Sequence, residues 1–532
     1  MDPCLTQPIP VSLPNWCKYS KMPSITGYSG LTTKLAILNT FLRQNPEEEG
    51  QLQAQDYFAR TLEFNGSGDC LIETAAKKKI RAFCKVVHLL DPVRSLQGYY
   101  NDIERGERRI KAKMENPHNQ AYIDSLANYL LSQLRENNLS PHFCRFYGSF
   151  QGVAGVYRYN ISDSFDSYRK YRSFWRKKNT GLFTLYTEHE ENKSLLNTPR
   201  SSLHSRSFSY STTDSIESDS SHISLIGPVV QDTLDELESI ANVSEEGSEH
   251  SSESDEGSTD SYDSEYEEPR IFSEFKDYPA VLIFQEKMDG VFDALLNDPE
   301  EVKYEEHWTA WTFQLITALC VAQGVLGLTH NDLHTNNILY KHTTQKWLYY
   351  KARDGTIWKI PTYGRILHII DFGRAVFRVE DVWFCSDDFA KGGDAEGQYS
   401  FDTFKKPGQP TVYPNPSFDL SRYSVSIIDA LFKLTPPEKE NGMILSTEDN
   451  WVIRETVSPL WNLLWSWLID DAGKNVLRSK DNVERFPSFD LYEHIGAHVH
   501  TAKPQEQLHK DIFKQYIVSE VPEDETVYPL FC

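Results

Sequence analysis

Several features are missing from this chain of 532 residues, and each absence narrows the reading. The opening stretch MDPCLTQPIPVSLPNW has neither a charged n-region nor an apolar h-region, so no secretory signal is expected. No apolar run is long enough to span a bilayer; the best, Leu315 to Leu328, is interrupted by Gln323 and two glycines, and no membrane association is expected. The eight cysteines show no C-x-x-C or other ligand spacing, which fits reduced thiols in a cytosolic or nuclear setting. In such a setting sequons like Asn65-Gly-Ser and Asn242-Val-Ser are inert. There is no global basic excess of the kind nucleic-acid binding requires, and no internal repeat.

What is abundant is acid, and it is unevenly placed. The chain carries 54 Lys+Arg against 77 Asp+Glu, a net charge of −23. Residues 201–270 alone hold 18 Asp+Glu against 2 Arg, with 20 serines, leaving a near-ordinary balance elsewhere. A segment of that composition, taken as 195–272, cannot bury enough apolar surface to offset its ordering entropy, so disorder is expected. Its Ser-x-Asp/Glu runs suit acid-directed phosphorylation.

Residues 1–58 read as an N-terminal extension. β structure is expected around a glycine turn from Leu62 to Leu90, with Lys77-Lys-Lys79 as a solvated β-turn. The spacing of Ile123, Leu126, Leu130, Leu131 and Leu134 predicts a helix over 119–139. A strand over Phe143–Val156 and a helix over Asp163–Lys178 follow. Beyond the acidic segment, Ala280–Phe284 reads as a buried strand. Helices are expected over Trp308–Leu326, Asp419–Phe432 and Asn450–Leu468, with strands near Ile338–Tyr340, Trp347–Ile360 and Ile366–Ile370. The order is β-rich first and α-rich second, an α+β chain dividing at residues 287 and 288.

The strongest motif is His330-Asn-Asp332-Leu-His334-Thr-Asn-Asn337, followed by Ile369-Ile-Asp371-Phe372-Gly373. It matches the H-x-D-L-x-x-x-N plus D-F-G pattern of kinases. Phosphoryl transfer needs a carboxylate to take the hydroxyl proton and oxygen ligands to hold Mg²⁺ on the nucleotide phosphates. Asp332 is the candidate base; Asn337 and Asp371 are the candidate Mg²⁺ ligands. Upstream, Lys85 in the apolar strand Arg81–Val87 is the candidate partner of the α/β-phosphates. Gly66 and Gly68 precede it and would let backbone N–H groups approach phosphate, or form a plain hairpin turn. The helix Tyr122–Gln133 offers Asp124 as its one carboxylate, either a partner for Lys85 or a first-turn acid favourable with the dipole. Glu286 and Met288 follow the strand Val281–Phe284, where a kinase hinge meets the adenine edge. Asp419 is either a buried acid for the catalytic-loop backbone, an N-cap, or both.

Together these residues resemble the protein-kinase superfamily, and specifically its divergent members. Phe83-Cys-Lys85-Val-Val-His-Leu-Leu-Asp91-Pro92, Ser140–Phe150, Gly393–Tyr399, Pro414–Leu420 and Arg485–Tyr492 resemble kinase-like proteins of large cytoplasmic DNA viruses of the iridovirus and marseillevirus type. The Asp332-Leu-His334 loop and the hairpin-like insert Trp347–Ile360 are similar to haspin kinases. The resemblance covers about residues 60–190 and 278–518. It implies a bilobal fold, with a β-rich N-lobe over 59–287 that carries the acidic insert and an α-helical C-lobe over 288–532. It also implies ATP and Mg²⁺ as cofactors, a protein Ser/Thr substrate (a basic protein, or the chain's own Ser-rich insert), and a cytoplasmic or virion workplace. The alternatives are a choline- or aminoglycoside-type small-molecule kinase and a low-activity nucleotide-binding scaffold. Three departures stand out. Asn331 replaces the arginine that would receive an activation-loop phosphate, which implies activity not gated that way. His334 replaces the usual lysine near the γ-phosphate, and no A-P-E follows D-F-G.

Overall fold

The computed structural model describes residues 24–33, 35–37, 58–65, 68–188, 196, 270–379, 382–401, 408, 411–448, 451–479 and 483–531. Nearly all of the segment expected to be disordered lies outside them, as does Gly66; its last residues, from Ile271, instead open a strand. The expected α+β class is borne out. The chain divides into two compact units. The first holds described residues 24–157 and 275–531, so both sides of residue 288 belong to it. The second holds 158–188, Leu196 and 270–274.

The first unit is built on a curled antiparallel sheet in the order β1-β5-β7-β4-β3-β2. Its strands are β1 (Tyr28–Thr32), β2 (Phe58–Phe64), β3 (Asp69–Thr74), β4 (Lys79–His88), β5 (Phe146–Asn160) and β7 (Ile271–Glu286), with β6 (Thr184–Thr187) pairing β7 in the second unit. β1 comes from the stretch read as an extension and pairs with β5 at the sheet edge. Strand alternation decides the faces. Cys70, Ile72, Ala82, Cys84, Leu282 and Phe284 pack with Phe58 and Phe150 into one apolar cluster. Lys85, next to Cys84 and opposite Ile283, therefore points to the other face. A slip of one residue would exchange the two sets. The Lys77 turn closes β3 to β4, and Lys77 takes a left-handed φ of 61°.

After α1 (Gly106–Met114), α2 (Gln120–Glu136) starts at Asn119, whose side chain accepts from the Ala121 N–H. Nearly every residue from Ala121 to Gln133 is buried, so the helix is enclosed by protein rather than amphipathic. The long helix α3 (Glu305–Leu326) is also buried around its circumference and ends at Gly327 in a left-handed conformation. By length and composition α3 could cross a membrane, but 89% of its apolar window is buried inside the protein. A small sheet joins β8 (Gly290–Val291), β9 (Ile338–His342) and β12 (Arg365–Ile369). The expected hairpin is β10 (Trp347–Lys351) and β11 (Ile357–Pro361), in register from Trp347 opposite Pro361. It is extended by β17 (Ile517–Val518) and β18 (Val527–Pro529). β13 (Val376–Val379) pairs with β14 (Val382–Cys385), and α4 (Phe418–Leu431) follows.

Two expected helices come out differently. The stretch Asn450–Leu468 holds β16 (Trp451–Arg454), paired with β15 (Ile444–Glu448), and then helix α5 (Pro459–Ser466). Val452 and Ile453 favour the strand. Pro459 keeps Ser458 extended and sits at the first helical turn, where Ser458 caps the Trp461 N–H. In the second unit, Asp163–Lys178 is two short helices, Ser162–Tyr168 and Arg172–Asn179. Folding back lets Tyr168 stack on Phe174 at 5.7 Å, with Phe183 at 5.0 Å on its other contact, so ring packing overrides helical continuity.

Phe58 is fully buried, with its ring 5.2 Å from Phe150 and 4.5 Å from Phe284. Phe58→Ala should cost about 3–5 kcal/mol in urea unfolding. A loss below about 1 kcal/mol would remove this cluster from the core.

Candidate active site

Lys85 is where distant parts of the first unit converge. Its Nζ lies 2.7 Å from Asp124 Oδ2 on α2 and 2.7 Å from Asp371 Oδ1 after β12. Of the two readings of Asp124, this geometry selects the lysine partner. Its other oxygen, Oδ1, accepts from the Phe372 N–H at 2.9 Å and from Asn128 Nδ2 at 2.8 Å. Burial works against the Lys85 ammonium, but the two carboxylates outweigh it and hold its pKa above the usual lysine range. Burial pushes the fully enclosed Asp124 carboxyl up, with Lys85 pulling the other way. Asp371, with 44% of its side chain exposed, is also disfavoured by burial, yet Lys85 holds it below the usual range.

The pairing of β9 with β12 brings the metal-ligand candidates together. Ile338 lies opposite Ile369, so Asn337 and Ile370-Asp371 flank the end of the ladder, and the Ile370 N–H donates to Asn337 O at 3.0 Å. Asn337 Nδ2 donates to the Asp332 carbonyl at 2.9 Å. That fixes the amide and presents its Oδ1 as an acceptor. Among the described residues no group of three or more His, Cys, Asp or Glu could hold a metal. Asn337 and Asp371 offer oxygen donors of the hard kind that would suit Mg²⁺ with part of its shell left to other oxygens.

The loop holding Asp332 is anchored through its backbone. Asp419 accepts from the His330 and Asn331 N–H groups at 2.9 Å each, and burial pushes its carboxyl up. The N-cap reading fails, because α4 begins at Phe418 with Ser417 in the cap position. His330 Nδ1 faces the Asp332 N–H at 3.2 Å, and Nε2 faces the Ile370 carbonyl at 2.8 Å. An amide can only donate and a carbonyl can only accept, so the proton is on Nε2. Asn331 and Asp371 both take left-handed φ values, 65° and 64°.

His334 Nε2 stands 3.9 Å from Asp332 Oδ1. Burial pushes its pKa down to about 4 despite Asp332, so the imidazole at this position is neutral at pH 7. Gly68 has a φ of 92°, and a Cβ there would lie 2.8 Å from the Phe83 ring and 2.9 Å from Cys84 O. Its carbonyl accepts from the Cys84 N–H at 2.7 Å, which packs the turn on the strand carrying Lys85. Gly66 is outside the described residues. The Glu286 N–H is taken by Arg145 O at 2.8 Å, and its carboxylate pairs with Arg135 at 2.5 Å and Lys341 at 3.4 Å. Its side chain is therefore structural, and a hinge role could use only its carbonyl. Met288 is buried, between Lys287, which pairs with Asp69, and β8.

Two cations beside Asp332 were not singled out from sequence. Arg374 Nη1 is 3.7 Å from Asp332 Oδ2, and Arg422 Nη2, on α4, is 3.7 Å from Oδ1. Arg374 directly follows the Asp371-Phe372-Gly373 motif, and the acids at Asp387, Asp388 and Asp394 were the available signal for it. Compared with protein-family models and with curated proteins, the chain gives no match to either.

Asp419→Ala would leave two buried N–H donors unpaired and should cost on the order of 3 kcal/mol in denaturant unfolding. A neutral cost would contradict the anchoring role. Because the folded pKa of His334 lies below that of the free imidazole, its contribution to stability is complete above about pH 6.5 and is lost as pH falls toward about 4. NMR titration, with His334→Asn used for assignment, should show this ring neutral down to pH 5; protonation near 6.5 would contradict its burial.

Proposed function

We propose that this chain is a Mg·ATP-dependent phosphotransferase, in the first instance a serine/threonine protein kinase of bilobal kinase-like fold. The sheet around β4 with α2 would form the smaller lobe, and residues from 288 onward the larger. The observation that carries the reading is the Lys85 ammonium shared at 2.7 Å between Asp124 and Asp371, in a chain whose β9–β12 pairing also brings Asn337 and the Asp332 loop to the same place.

In this reading Lys85 holds the α/β-phosphates, and Asp371 and Asn337 hold the magnesium that comes with the nucleotide. Asp332 receives the proton of the acceptor hydroxyl as that oxygen attacks the γ-phosphorus and ADP leaves. Arg374 and Arg422 place positive charge 3.7 Å from either oxygen of that carboxylate. Neutral His334 can donate a hydrogen bond to a phosphoryl oxygen without adding charge. The carbonyl of Glu286 and the backbone of Met288 would meet the adenine edge. The Asp124 pairing weakens the scaffold alternative, since a carboxylate of α2 is in contact with Lys85. Absence of A-P-E after D-F-G keeps a small-molecule acceptor as the second reading.

Purified chain with radiolabelled ATP, tested on protein, aminoalcohol and aminoglycoside acceptors, should label a basic protein or itself. Asp332→Asn should lose at least about a hundredfold in rate and still bind nucleotide. An unchanged rate would remove Asp332 from the mechanism. Asp371→Asn should abolish the Mg²⁺ dependence of binding of a fluorescent ATP analogue; retained Mg²⁺ dependence would dismiss Asp371 as a ligand.

A further inference from the structure

Arg374 lies between the Asp332 carboxylate and the segment that follows D-F-G. Beyond its 3.7 Å approach to Asp332, its Nε is 3.7 Å from Asp388 Oδ2 and its Nη2 is 3.7 Å from Asp394 Oδ2. Burial works against the guanidinium, yet these carboxylates together with Asp371 hold its pKa above the usual arginine range. Its backbone is also held: Asn331 Nδ2 donates to the Arg374 carbonyl at 3.0 Å, and Asn331 Oδ1 accepts from the Tyr399 hydroxyl. Asn331, which stands where a phosphate-receiving arginine was expected, here ties Arg374 to Tyr399.

The same segment is pinned at a second point. Lys113 Nζ of α1 is 2.5 Å from Asp387 Oδ2, and Asn116 Nδ2 donates to that oxygen at 2.9 Å. The Asp387 N–H donates to the His118 carbonyl at 2.7 Å. Phe389, Ala395, Tyr399 and Phe401 pack with Val376 and Cys385 beneath.

We propose that Arg374 is a positioning residue for Asp332, and that Asp388 and Asp394 supply the anionic charge that fixes it, in place of a phosphate added to this segment. The planar fork of a guanidinium suits the task, because it meets several carboxylates in set directions. The inference rests on the phosphotransferase reading with Asp332 as base, and it adds how that site is kept competent without covalent modification. Burial, with Asp394 and Asp387, pushes the Asp388 carboxyl up to about 7 against the pull of Arg374 and Lys113. The hold on Arg374 is therefore complete above that pH and weakens as Asp388 takes up a proton below it.

The test uses full-length chain, treated with phosphatase or left untreated, in steady-state transfer from Mg·ATP to a basic test protein, with binding of a fluorescent ATP analogue measured in parallel. Phosphatase should leave the wild-type rate unchanged. Arg374→Met should lower kcat roughly 10- to 100-fold while analogue affinity stays within about twofold. Asp388→Asn with Asp394→Asn should act likewise, and joining both changes to Arg374→Met should add nothing, since the three work as one unit. Arg374→Lys, which keeps the charge without the fork, gives a milder change and is expected to fall between wild type and Arg374→Met. The wild-type rise of kcat through about pH 7 should flatten in Asp388→Asn. Additive losses, an unchanged rate in both Arg374 variants, or loss of activity on phosphatase treatment would each overturn the proposal while leaving the phosphotransferase reading intact. Wild-type protein that transfers to no acceptor would instead overturn that reading and this proposal with it.

Discussion

The described part of the first unit depends on one shared ammonium. Lys85 on β4, Asp124 on α2 and Asp371 beyond β12 are far apart in sequence and within 2.7 Å contacts in space. Asp124 has no exposed surface, so its ionised form is tolerable only with the lysine beside it. Removing Lys85 would strand the fully buried Asp124 carboxylate without a counter-charge, a loss of several kcal/mol by comparison with other buried pairs, whereas removing Asp124 would leave the lysine on Asp371 alone. The sheet, the buried helix and the D-F-G turn are thus held in one relative placement by electrostatics as well as by packing.

Around that centre the backbone adopts conformations it would otherwise avoid. Asn331 and Asp371 are left-handed, each at a cost of order 1–3 kcal/mol. Asn and Asp tolerate this region better than other residues with a Cβ. Local bonds meet the cost: Asp419 receives two N–H groups of the first loop, Asn331 bonds to the Thr329 and Arg374 carbonyls, and Lys85 grips the Asp371 side chain. Strain concentrated where chemistry is proposed, and balanced by buried polar contacts next to it, is what a preorganised site requires.

How far this was legible in sequence follows from how local each signal is. The Asp332–Asn337 and Asp371–Gly373 runs are contiguous, so residue types and spacing reveal them directly. Lys85 was readable because it is a cation set in an apolar strand, Arg81–Val87, shortly after the glycines at 66 and 68. Asp124 remained ambiguous, since one aspartate in a helix carries no information about what lies across from it. Arg374 was invisible as a functional group for a stronger reason: its three carboxylates come from Asp332, Asp388 and Asp394, whose convergence is a tertiary fact. The same holds for Asn450–Leu468, where apolar residues at helical spacing were claimed by a hairpin and by the Ser458-Pro459 start of α5.

The short acid on α2 is better understood as a rearrangement than as a deficit. A glutamate has one more methylene and could reach Lys85 from a helix set further back. Aspartate reaches the lysine only from a helix set close to β4, and here Oδ2 lies 2.7 Å from Nζ. At that distance both carboxylate oxygens are used, Oδ2 on Lys85 and Oδ1 on the Phe372 N–H and Asn128. The helix is therefore bonded directly to the D-F-G turn as well as to the lysine. Displacing α2 would break both contacts at once, and because the contacts share one rigid side chain, neither can relax to save the other. Helix, strand and turn therefore meet on one carboxylate, Oδ2 toward Lys85 and Oδ1 toward the Phe372 N–H.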